Sequence, residues 1–287
     1  MPELPEVETT TKGLRKTIVG LKIRDVWTDL STKDKRQHDA VANPKYFRTF
    51  RKEILNKKVL SVERRAKNIL INLSGDKTIL THMKMTGHFL YGKYKKDAMN
   101  HFIHFVITFN NGEKLSFSDA RKFGKITLLD TKTAHDTKHL NNIGPEPLEK
   151  TFTLESLIQR LNLCINKKIK TALMDQSIIA GIGNIYSDEI LWRAGVHPER
   201  RVSKLKQNEI KLIFKAIKEI LKKGIDFGGD SMSDYRNIDG LPGKFQLHHQ
   251  AYRRTGEKCR RKGCKGIIKR KIIGNRSAHF CSIHQAS

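Results

Sequence analysis

The amino terminus carries the residues with the clearest chemical potential. The chain begins Met1-Pro2-Glu3, and removal of Met1 would leave Pro2 with a free secondary amine. An α-amino group has an ordinary pKa of about 7.7–8.0, so much of it is neutral and nucleophilic near neutral pH. Such an amine attacks a carbonyl-like carbon and forms an iminium, while the carboxylate of Glu3 can transfer protons. Many chains begin with Met-Pro and do not use it, so the interpretation needs support from the rest of the sequence.

A second candidate site lies near the carboxyl terminus. Cys259-x4-Cys264 and Cys281-x2-His284 form two close pairs with 16 residues between them. A tetrahedral zinc site needs such an arrangement, because each pair chelates from one turn and the insert folds between the pairs. We predict one structural Zn²⁺ held by these four residues, with His279 as a weaker spare ligand. The alternative is a lysine-rich tail with incidental cysteines.

Hydrophobic periodicity predicts a β-rich amino-terminal domain. Residues 3–18 are expected to form a helix, since Pro5 suits a first-turn position and the early glutamates complement the helix dipole. Short β-type runs follow at 22–27, 58–65, 68–74, 78–85, 102–109, 113–118 and 124–130. Many short strands at close spacing favour a sandwich or a barrel over a parallel sheet. We therefore predict an all-β domain over residues 1–130 with a helix at its front.

The pattern becomes helical after a polar segment. Residues 131–150 end in Gly144-Pro145-Glu146-Pro147 and suit an interdomain linker. Thr153 is placed to cap a first helix, a second is expected near 168–176, and Asn184 is placed to cap a third. A longer helix is predicted over 205–223, stopped by Gly224. Residues 226–250 are too long and irregular for a plain connection and are interpreted as functional.

Composition narrows the class of partner. The chain has 287 residues, with 56 Lys and Arg against 29 Asp and Glu, for a net charge of +27. A charge of this size favours a polyanionic partner, although lysine-rich codon usage would also scatter lysines over solvated faces. No apolar run is long enough for a membrane span, and no leader pattern is visible, so a cytoplasmic location is expected. The four cysteines do not form a secreted disulfide framework.

Three motifs together resemble one family. The chain opens with MPELPEVE, continues through LMDQSIIAGIGNIYSDEILW, and ends in a Cys-pair finger that contains NRSAHFC. In this order, and over nearly the whole chain, these motifs resemble the formamidopyrimidine-DNA glycosylases, which are bifunctional base-excision enzymes. Leu4 favours them over the related endonuclease VIII enzymes, whose chains typically start MPEGPE.

The resemblance implies roles for the amino-terminal residues. Pro2 would attack C1′ of the damaged nucleotide as the base leaves, and the iminium would permit β- and then δ-elimination. Glu3 would be the general acid/base. Glu6 resembles the second glutamate of the family and would belong to the DNA-binding residues, although a role at the helix start is the alternative. Lys67, in RRAK, matches a lysine set on a β-turn beside the scissile phosphate. Without the resemblance we would interpret it as one more exposed lysine.

The resemblance also implies DNA-binding residues. An everted base leaves a gap in the stack, which Met85, Arg121 and Phe123 would fill; without the family, Met85 and Phe123 would be core candidates. Backbone phosphates would be contacted by Asn184, at a glycine-rich turn before a helix, and by Arg276 in the finger, and Lys170 is expected to assist. Residues 230–250 lie where the family has its loop over the flipped oxidised purine.

The expected fold is a multidomain α and β protein. It comprises an N-terminal β-sandwich with a leading helix (1–130), a linker (131–150), a helical helix-two-turn-helix domain with a lesion-capping loop (151–250) and a C-terminal zinc finger (251–287). Three departures from the family pattern are the x4 spacing of the first cysteine pair, the final histidine ligand, and RRAK and DARKFG in place of RRGK and DPRRFG.

The expected function is excision of oxidised purines from double-stranded DNA, followed by strand cutting. The expected protein is a monomer in the cytoplasm, associated with the nucleoid if bacterial. Excision of oxidised pyrimidines, as by endonuclease VIII, stays open because base choice depends on the 230–250 loop. A non-catalytic protein that binds damaged DNA is a second alternative, against which the presence of Pro2, Glu3 and Lys67 argues. An RNA-binding zinc protein would explain the charge and the finger but not the amino terminus.

Overall fold

A computed structural model of the chain describes residues 1–92, 102–232 and 234–285. The chain divides into two compact units, each of which we treat separately. The first unit combines Met1–Asn141 with Phe227–Lys244, and the second combines Asn142–Asp226 with the chain from Phe245 onward. Residues 226–250, which we expected to belong to the helical domain, are thus shared between the two units.

The first unit is a sandwich of two antiparallel sheets. Its leading helix α1 spans Leu4–Thr17, and a second helix α2 spans Pro44–Ile54. One sheet has the order β1-β6-β7-β5 and the other the order β2-β3-β4-β8. The strands are β1 (Ile23–Thr28), β2 (Val59–Arg65), β3 (Asn68–Leu73), β4 (Lys77–His82), β5 (His88–Tyr91), β6 (Ile103–Phe109), β7 (Lys114–Ser118) and β8 (Lys125–Asp130).

The inner faces of both sheets form one hydrophobic core. Buried side chains from β1, β6 and β7 meet those from β2, β3 and β4, and Phe50 of α2 and Leu14 of α1 complete the cluster. Burial of this apolar area supplies the main stabilisation of the unit. Of the sandwich or barrel that the strand spacing left open, the chain therefore forms the sandwich.

One predicted strand extended too far, and one strand and one helix were not predicted. The run 78–85 was expected to be a strand, but β4 ends at His82 and a turn follows. The prediction also lacked β5 and α2. Helix α2 begins with Asn43, whose side chain accepts hydrogen bonds from the backbone N–H groups of Lys45 and Tyr46, and with Pro44 in the first turn. Both features are typical helix starts.

The second unit is helical in its first part. The helices are α3 (Leu154–Asn162), α4 (Ile169–Met174), α5 (Asn184–Ala194) and α6 (Gln207–Asp226). Thr153 caps α3 as predicted, accepting from the N–H of Ser156. Gly224 was expected to stop the last helix, but α6 continues through it to Asp226, and Gly224 is buried. Among the described residues, none of the helices is both long and apolar enough to cross a membrane.

The second unit ends in a small β-ribbon. Strand β9 (Ile268–Ile273) pairs antiparallel with β10 (Arg276–Cys281), and the residues 274–275 form the turn between them. Ala251, Cys259, Ile268 and Cys281 form a small buried cluster under this ribbon. The ribbon occupies the insert between the two Cys/His pairs, as the sequence predicted.

The cap of α2 can be tested by substitution. Asn43→Ala removes the acceptor for two backbone N–H groups and should destabilise the protein by about 1 kcal/mol. Urea or thermal unfolding measures the change. Lys45→Ala is the matched control, because it alters an exposed side chain and keeps both N–H groups. Equal stability of the wild type and Asn43→Ala would contradict the assigned cap.

Candidate active site and metal centre

Three candidate loops of the first unit leave the same end of one sheet. In the register of this sheet, Asn68 on β3 pairs with His82 on β4, and His82 pairs with Lys125 on β8. Lys67 directly precedes Asn68, the turn with Met85 directly follows His82, and the loop with Arg121 and Phe123 directly precedes Lys125. Residues that are far apart in sequence therefore emerge side by side.

Asp119 holds two of these loops. Its buried carboxylate accepts hydrogen bonds from the backbone N–H groups of Gly124 (2.6 Å) and Arg121 (3.3 Å), and from the hydroxyl of Thr86 in the neighbouring loop. Gly124 is required at this point, since a Cβ there would lie 2.5 Å from the ring of Phe117. Asp119 belongs to the motif DARKFG, but its structural role was not predicted.

A cavity of about 710 Å³ opens among these loops. Its lining includes Met1, Met85, Arg121 and Phe123, which brings the amino terminus together with the three residues expected to fill a gap in the DNA stack. Five basic and two acidic residues contribute to the lining. Phe123 is 49 % exposed and lies beneath the Arg121 guanidinium, whose carbon is 4.7 Å from the ring centre. An exposed phenyl ring beside a cation suits contact with bases and phosphates.

The amino terminus is anchored by a buried glutamate. Pro2 and Glu3 are buried, and Glu3 precedes the first residue of α1. The Glu6 carboxylate accepts the N–H of Glu3 with one oxygen (2.7 Å) and the N–H of Asp230 with the other (2.7 Å). Glu6 is only 1 % exposed, and of its two expected roles the geometry supports the one at the helix start.

Glu6 also anchors part of the irregular 226–250 segment. A Cβ at Gly229, which has φ +87°, would lie 2.9 Å from Glu6, so only glycine permits the close approach. The Tyr235 hydroxyl donates to the Glu6 carbonyl oxygen (3.0 Å), and Ile238 joins the core of the first unit. This segment is thus attached to the helix that begins at the candidate nucleophile; Ser233 lies outside the described residues.

Lys67 lies on a turn with a strained backbone. Ala66, where the family motif has glycine, has φ +53°, a conformation that costs an L-residue about 1–2 kcal/mol. Arg64 ties this turn to α1, because its guanidinium contacts the Glu8 carboxylate (2.8 Å) and the Ala66 carbonyl oxygen (3.1 Å). Lys67 is buried, with only 5 % of its surface exposed, unlike an ordinary surface lysine.

Neighbouring charge is concentrated at the end of the sheet. Burial, together with the positive charges of Lys84 and Lys67, lowers the pKa of His82 to about 3. His82 is therefore neutral at physiological pH, and its Nδ1 accepts the backbone N–H of Lys84 (3.0 Å). Burial also lowers the pKa of Lys84, and the charge of Lys125 adds to the effect. His82 was not predicted as a site residue, and its sequence position at a strand end offered no signal.

In the second unit, Asn184 is the first residue of α5 rather than its cap. The capping position belongs to Gly183, and no side chain caps the helix. Asn184 is partly exposed, but its Oδ1 atom is buried without a hydrogen-bond partner among the described residues. The positive end of the helix dipole at this position suits an anion, in agreement with the expected phosphate contact.

Lys170, which was expected to assist at the backbone phosphates, is completely buried. Its Nζ donates to Asp188 (2.6 Å), to the hydroxyl of Ser187 (3.1 Å) and to the carbonyl oxygen of Asn184 (3.4 Å). An ammonium group has three donors. All three are used within the protein, so Lys170 can assist DNA binding only through its neighbours. Arg276, by contrast, is exposed at the first position of β10.

Cys259, Cys264, Cys281 and His284 form a metal site. Their ligand atoms all lie within 4.8 Å of one another. The Sγ atoms of Cys264 and Cys281 are 3.5 Å apart, and His284 Nδ1 lies 3.4 Å from Cys259 Sγ and 3.8 Å from Cys264 Sγ. Metal–sulfur bonds of about 2.3 Å in a tetrahedron place the ligand atoms about 3.8 Å apart. The four side chains therefore fit one tetrahedral ion, despite the x4 spacing and the final histidine.

Hydrogen bonds around the four ligands prepare them for a cation. His284 Nε2 lies 3.1 Å from the Trp192 carbonyl oxygen, which directs Nδ1 to the cluster. Burial lowers the pKa of His284, which favours the neutral imidazole that metals require. The backbone N–H of Gly266 lowers the pKa of Cys264 and so favours the thiolate. His279, the predicted spare ligand, is instead bound through Nδ1 to Asp188 (2.9 Å).

A sandwich whose amino terminus lines a basic cavity, and a helical unit with a Cys₃His cluster, define a DNA-repair glycosylase of the helix-two-turn-helix class. The family model of the formamidopyrimidine-DNA glycosylase N-terminal domain matches residues 1–126, and the model of the H2TH domain matches residues 143–236. The chain belongs to the formamidopyrimidine-DNA glycosylase family.

Individual relatives match over the full chain. The formamidopyrimidine-DNA glycosylase of Herpetosiphon aurantiacus is 39 % identical over 100 % of both chains, and that of Ligilactobacillus salivarius is 37 % identical over 98 % of this chain and 97 % of its own. The Lactococcus lactis enzyme in complex with abasic-site DNA superposes with a TM-score of 0.87 at 33 % identity, over 99 % of this chain and 100 % of its own. The MutM (Fpg) structure from Thermus thermophilus gives 0.84 at 31 %, over 100 % and 99 %.

The neutral state of His82 predicts a loss of stability in acid. An unfolded histidine titrates near 6.5, so between pH 6.5 and 3 the unfolded chain binds a proton that the folded chain does not. Stability contributed at higher pH is therefore lost as the pH falls, by about 3 kcal/mol at pH 4. His82→Asn keeps an acceptor for the Lys84 N–H and should show a shallower decline in unfolding free energy from pH 7 to pH 4. His38→Asn is the control, since the His38 side chain is 62 % exposed. Parallel pH profiles for wild type and His82→Asn would refute the assignment.

Proposed function

We propose that this protein excises oxidised purines, chiefly 8-oxoguanine and formamidopyrimidines, from double-stranded DNA and then cuts the strand. DNA glycosylase activity in base excision repair follows from membership of the family. The observation that carries the finer proposal is the cavity that joins the amino terminus to Met85, Arg121 and Phe123. There, a nucleophilic amine would lie beside the side chains that replace an everted base.

Pro2 would act as the nucleophile. After removal of Met1, its amine would attack C1′ of the damaged nucleotide, the bond from C1′ to the base would break, and the base would leave with a proton. The bond from C1′ to O4′ would then break with protonation of O4′, which opens the sugar ring and leaves the iminium. The iminium acidifies the hydrogens on C2′, so loss of one of them expels the 3′ phosphate, and a second elimination expels the 5′ phosphate. Glu3 is placed beside Pro2 to move these protons.

Lys67 would assist the eliminations as a fixed positive charge. Its turn is held against α1 by Arg64, so a cation is kept near the helix that begins at the nucleophile. The Met85 and Phe123 side chains would enter the stack, and Arg121 would hydrogen-bond the partner base that is left behind. Asn184 and Arg276 would hold phosphates. Such an enzyme would work on chromosomal DNA in the cytoplasm, and its described chain requires no partner subunit for these roles.

Covalent trapping tests this chemistry. Sodium borohydride reduces an iminium to a stable amine, so a duplex with one 8-oxoguanine opposite cytosine should become cross-linked to Pro2 of the native protein. Protein that retains Met1 should lose strand cutting and the adduct, because its Pro2 nitrogen is part of a peptide bond and is not nucleophilic. It should retain most lesion binding, because the binding residues are unchanged. Protein from which Met1 has been removed is the matched control.

Each outcome of trapping has a separate meaning. An adduct with an oxidised pyrimidine but not with 8-oxoguanine would move the substrate to that of the endonuclease VIII enzymes. Unchanged cutting by protein that retains Met1 would remove the assignment of the nucleophile. Binding without any adduct, from protein confirmed to start at Pro2, would indicate a protein that only binds damaged DNA.

We propose that the Cys₃His cluster holds one Zn²⁺. Three thiolates and one imidazole in a tetrahedral arrangement suit zinc, and all four positions are supplied by the protein, as in a structural site. The ion would cross-link the chain before β9 to the chain at the end of β10 and so contribute to the folding of the ribbon.

Metal analysis checks the cluster. One zinc per chain is expected, and His284→Ala should lower the zinc content of purified protein well below that value and reduce DNA binding. Cys164→Ser is the matched control, because Cys164 is buried outside the cluster and should leave the zinc content at one. A full zinc content in His284→Ala would exclude His284 as a ligand.

A further inference from the structure

Asp188 occupies a position that the proposed chemistry does not explain. It is completely buried in α5, and its two carboxylate oxygens face different elements of the second unit. One oxygen accepts from Lys170 (2.6 Å), and the other accepts both the backbone N–H and the ring Nδ1–H of His279 on β10 (2.9 Å each). A buried carboxylate is costly unless it is fully paired, so these contacts are strongly interdependent.

The Lys170 side of the pair leads to Asn184. Residues four apart on a helix share a face, so Asp188 lies one turn below Asn184 on α5. Lys170 contacts the Asn184 carbonyl oxygen and the Ser187 hydroxyl, which itself donates to the same carbonyl (3.3 Å). A cation beneath a helix N-terminus opposes the helix dipole. The negative charge of Asp188 offsets this, so the arrangement depends on Asp188.

The His279 side of the pair leads to Arg276. His279 lies three residues along the same strand, and β10 is fixed to α5 where the Asp188 carboxylate receives its backbone N–H. The adjacent Glu189 anchors the chain that enters the finger, because its buried carboxylate accepts the N–H groups of Gln250, Ala251 and Tyr252 (2.8–2.9 Å). Asp188 and Glu189, which are consecutive in α5, therefore attach the last strand of the finger and the chain that enters it.

We propose that Asp188 is a positioning residue that fixes Arg276 relative to Asn184, so that both can contact the DNA backbone at once. The inference rests on the proposed function, in which these two residues hold phosphates. Asp188 itself does not touch DNA. It also gives Lys170 a role, which is to neutralise the buried Asp188 carboxylate rather than to bind a phosphate.

Two double variants separate the attachment of the strand from the buried charge. Lys170→Met/Asp188→Asn removes both charges but keeps an amide oxygen that can accept the His279 N–H. Lys170→Met/Asp188→Leu also removes both charges, and in addition removes that acceptor. Both avoid an unpaired buried charge, which would destabilise the protein by itself. Thermal unfolding and zinc content confirm folding; where the leucine variant does not fold, Asp188→Ala in the same background replaces it, because it adds no bulk.

The salt dependence of DNA binding is the readout. For full-length protein on a duplex with one tetrahydrofuran abasic analogue, each lost phosphate contact lowers the slope of log K against log salt by about 1. We expect the asparagine variant to keep the native slope and the leucine variant to lose about 1 from it. Arg276→Ala should lower this slope by about 1 in the native protein. It should not lower the slope further in the leucine variant, since contacts that depend on each other are not additive.

Hydrogen exchange of the unbound protein supplies an independent readout. The His279 amide should exchange slowly in the native and asparagine proteins and much faster in the leucine variant, while amides in the middle of α5 remain protected. The proposal would be overturned if the leucine variant kept the native salt slope and Arg276→Ala still lowered the slope by its full amount in that variant. If Arg276→Ala has no effect in the native background, the phosphate contact itself fails, and exchange at His279 then decides whether Asp188 holds the strand.

Discussion

Buried carboxylates that collect backbone N–H groups are the interaction on which the irregular parts of this structure depend. Glu6 holds the amino terminus and the segment at Asp230, Asp119 holds the loop of Arg121, and Asp188 and Glu189 hold the finger segment. A desolvated carboxylate must be fully paired, and an irregular loop has N–H groups to pair. Each demand satisfies the other. The chain has 29 acidic residues against 56 basic ones, and this ratio does not reveal that several of the acids have specific structural roles.

These attachments matter because the loops that they hold have strained backbones. Four candidate site residues directly follow a non-glycine residue with positive φ. The preceding residues are Ala66 (φ 53°), Lys84 (56°), Lys122 (54°) and Asn275 (60°). A left-handed residue reverses the chain sharply, but it costs free energy that the surroundings must supply. Hydrogen bonds that backbone N–H groups donate to buried carboxylates, together with the strand pairing at the end of the sheet, are the available source.

Local sequence patterns predicted much of the fold. For the site residues, the sequence indicated which residue types could act, but not whether each side chain is exposed or buried. Most strands, the cap at Thr153 and the metal cluster are decided by neighbours in sequence, through alternation, capping and spacing. Helix α2 was missed because Asn43-Pro44 also suits a turn. Lys170 and Glu6 were expected at the DNA, yet both are buried. The partner of Lys170 is 18 residues away and becomes its neighbour only when α4 packs on α5. Tertiary pairing of this kind leaves no periodic signal, so sequence alone could not separate a phosphate-binding lysine from a buried one.

The finger shows why such attachments are required. An isolated two-stranded ribbon is marginal in water, and the four middle residues of β9 are all exposed. Its buried cluster is too small to hold the strands in place. Stability must therefore enter from outside the ribbon, through the Cys₃His cluster at its base and through the Asp188 contact with β10. A strand that owes its position to these two contacts can leave nearly all of its basic side chains in solvent. A surface that binds DNA phosphates needs such exposed basic side chains. A ribbon with a larger hydrophobic core of its own could not expose them as fully.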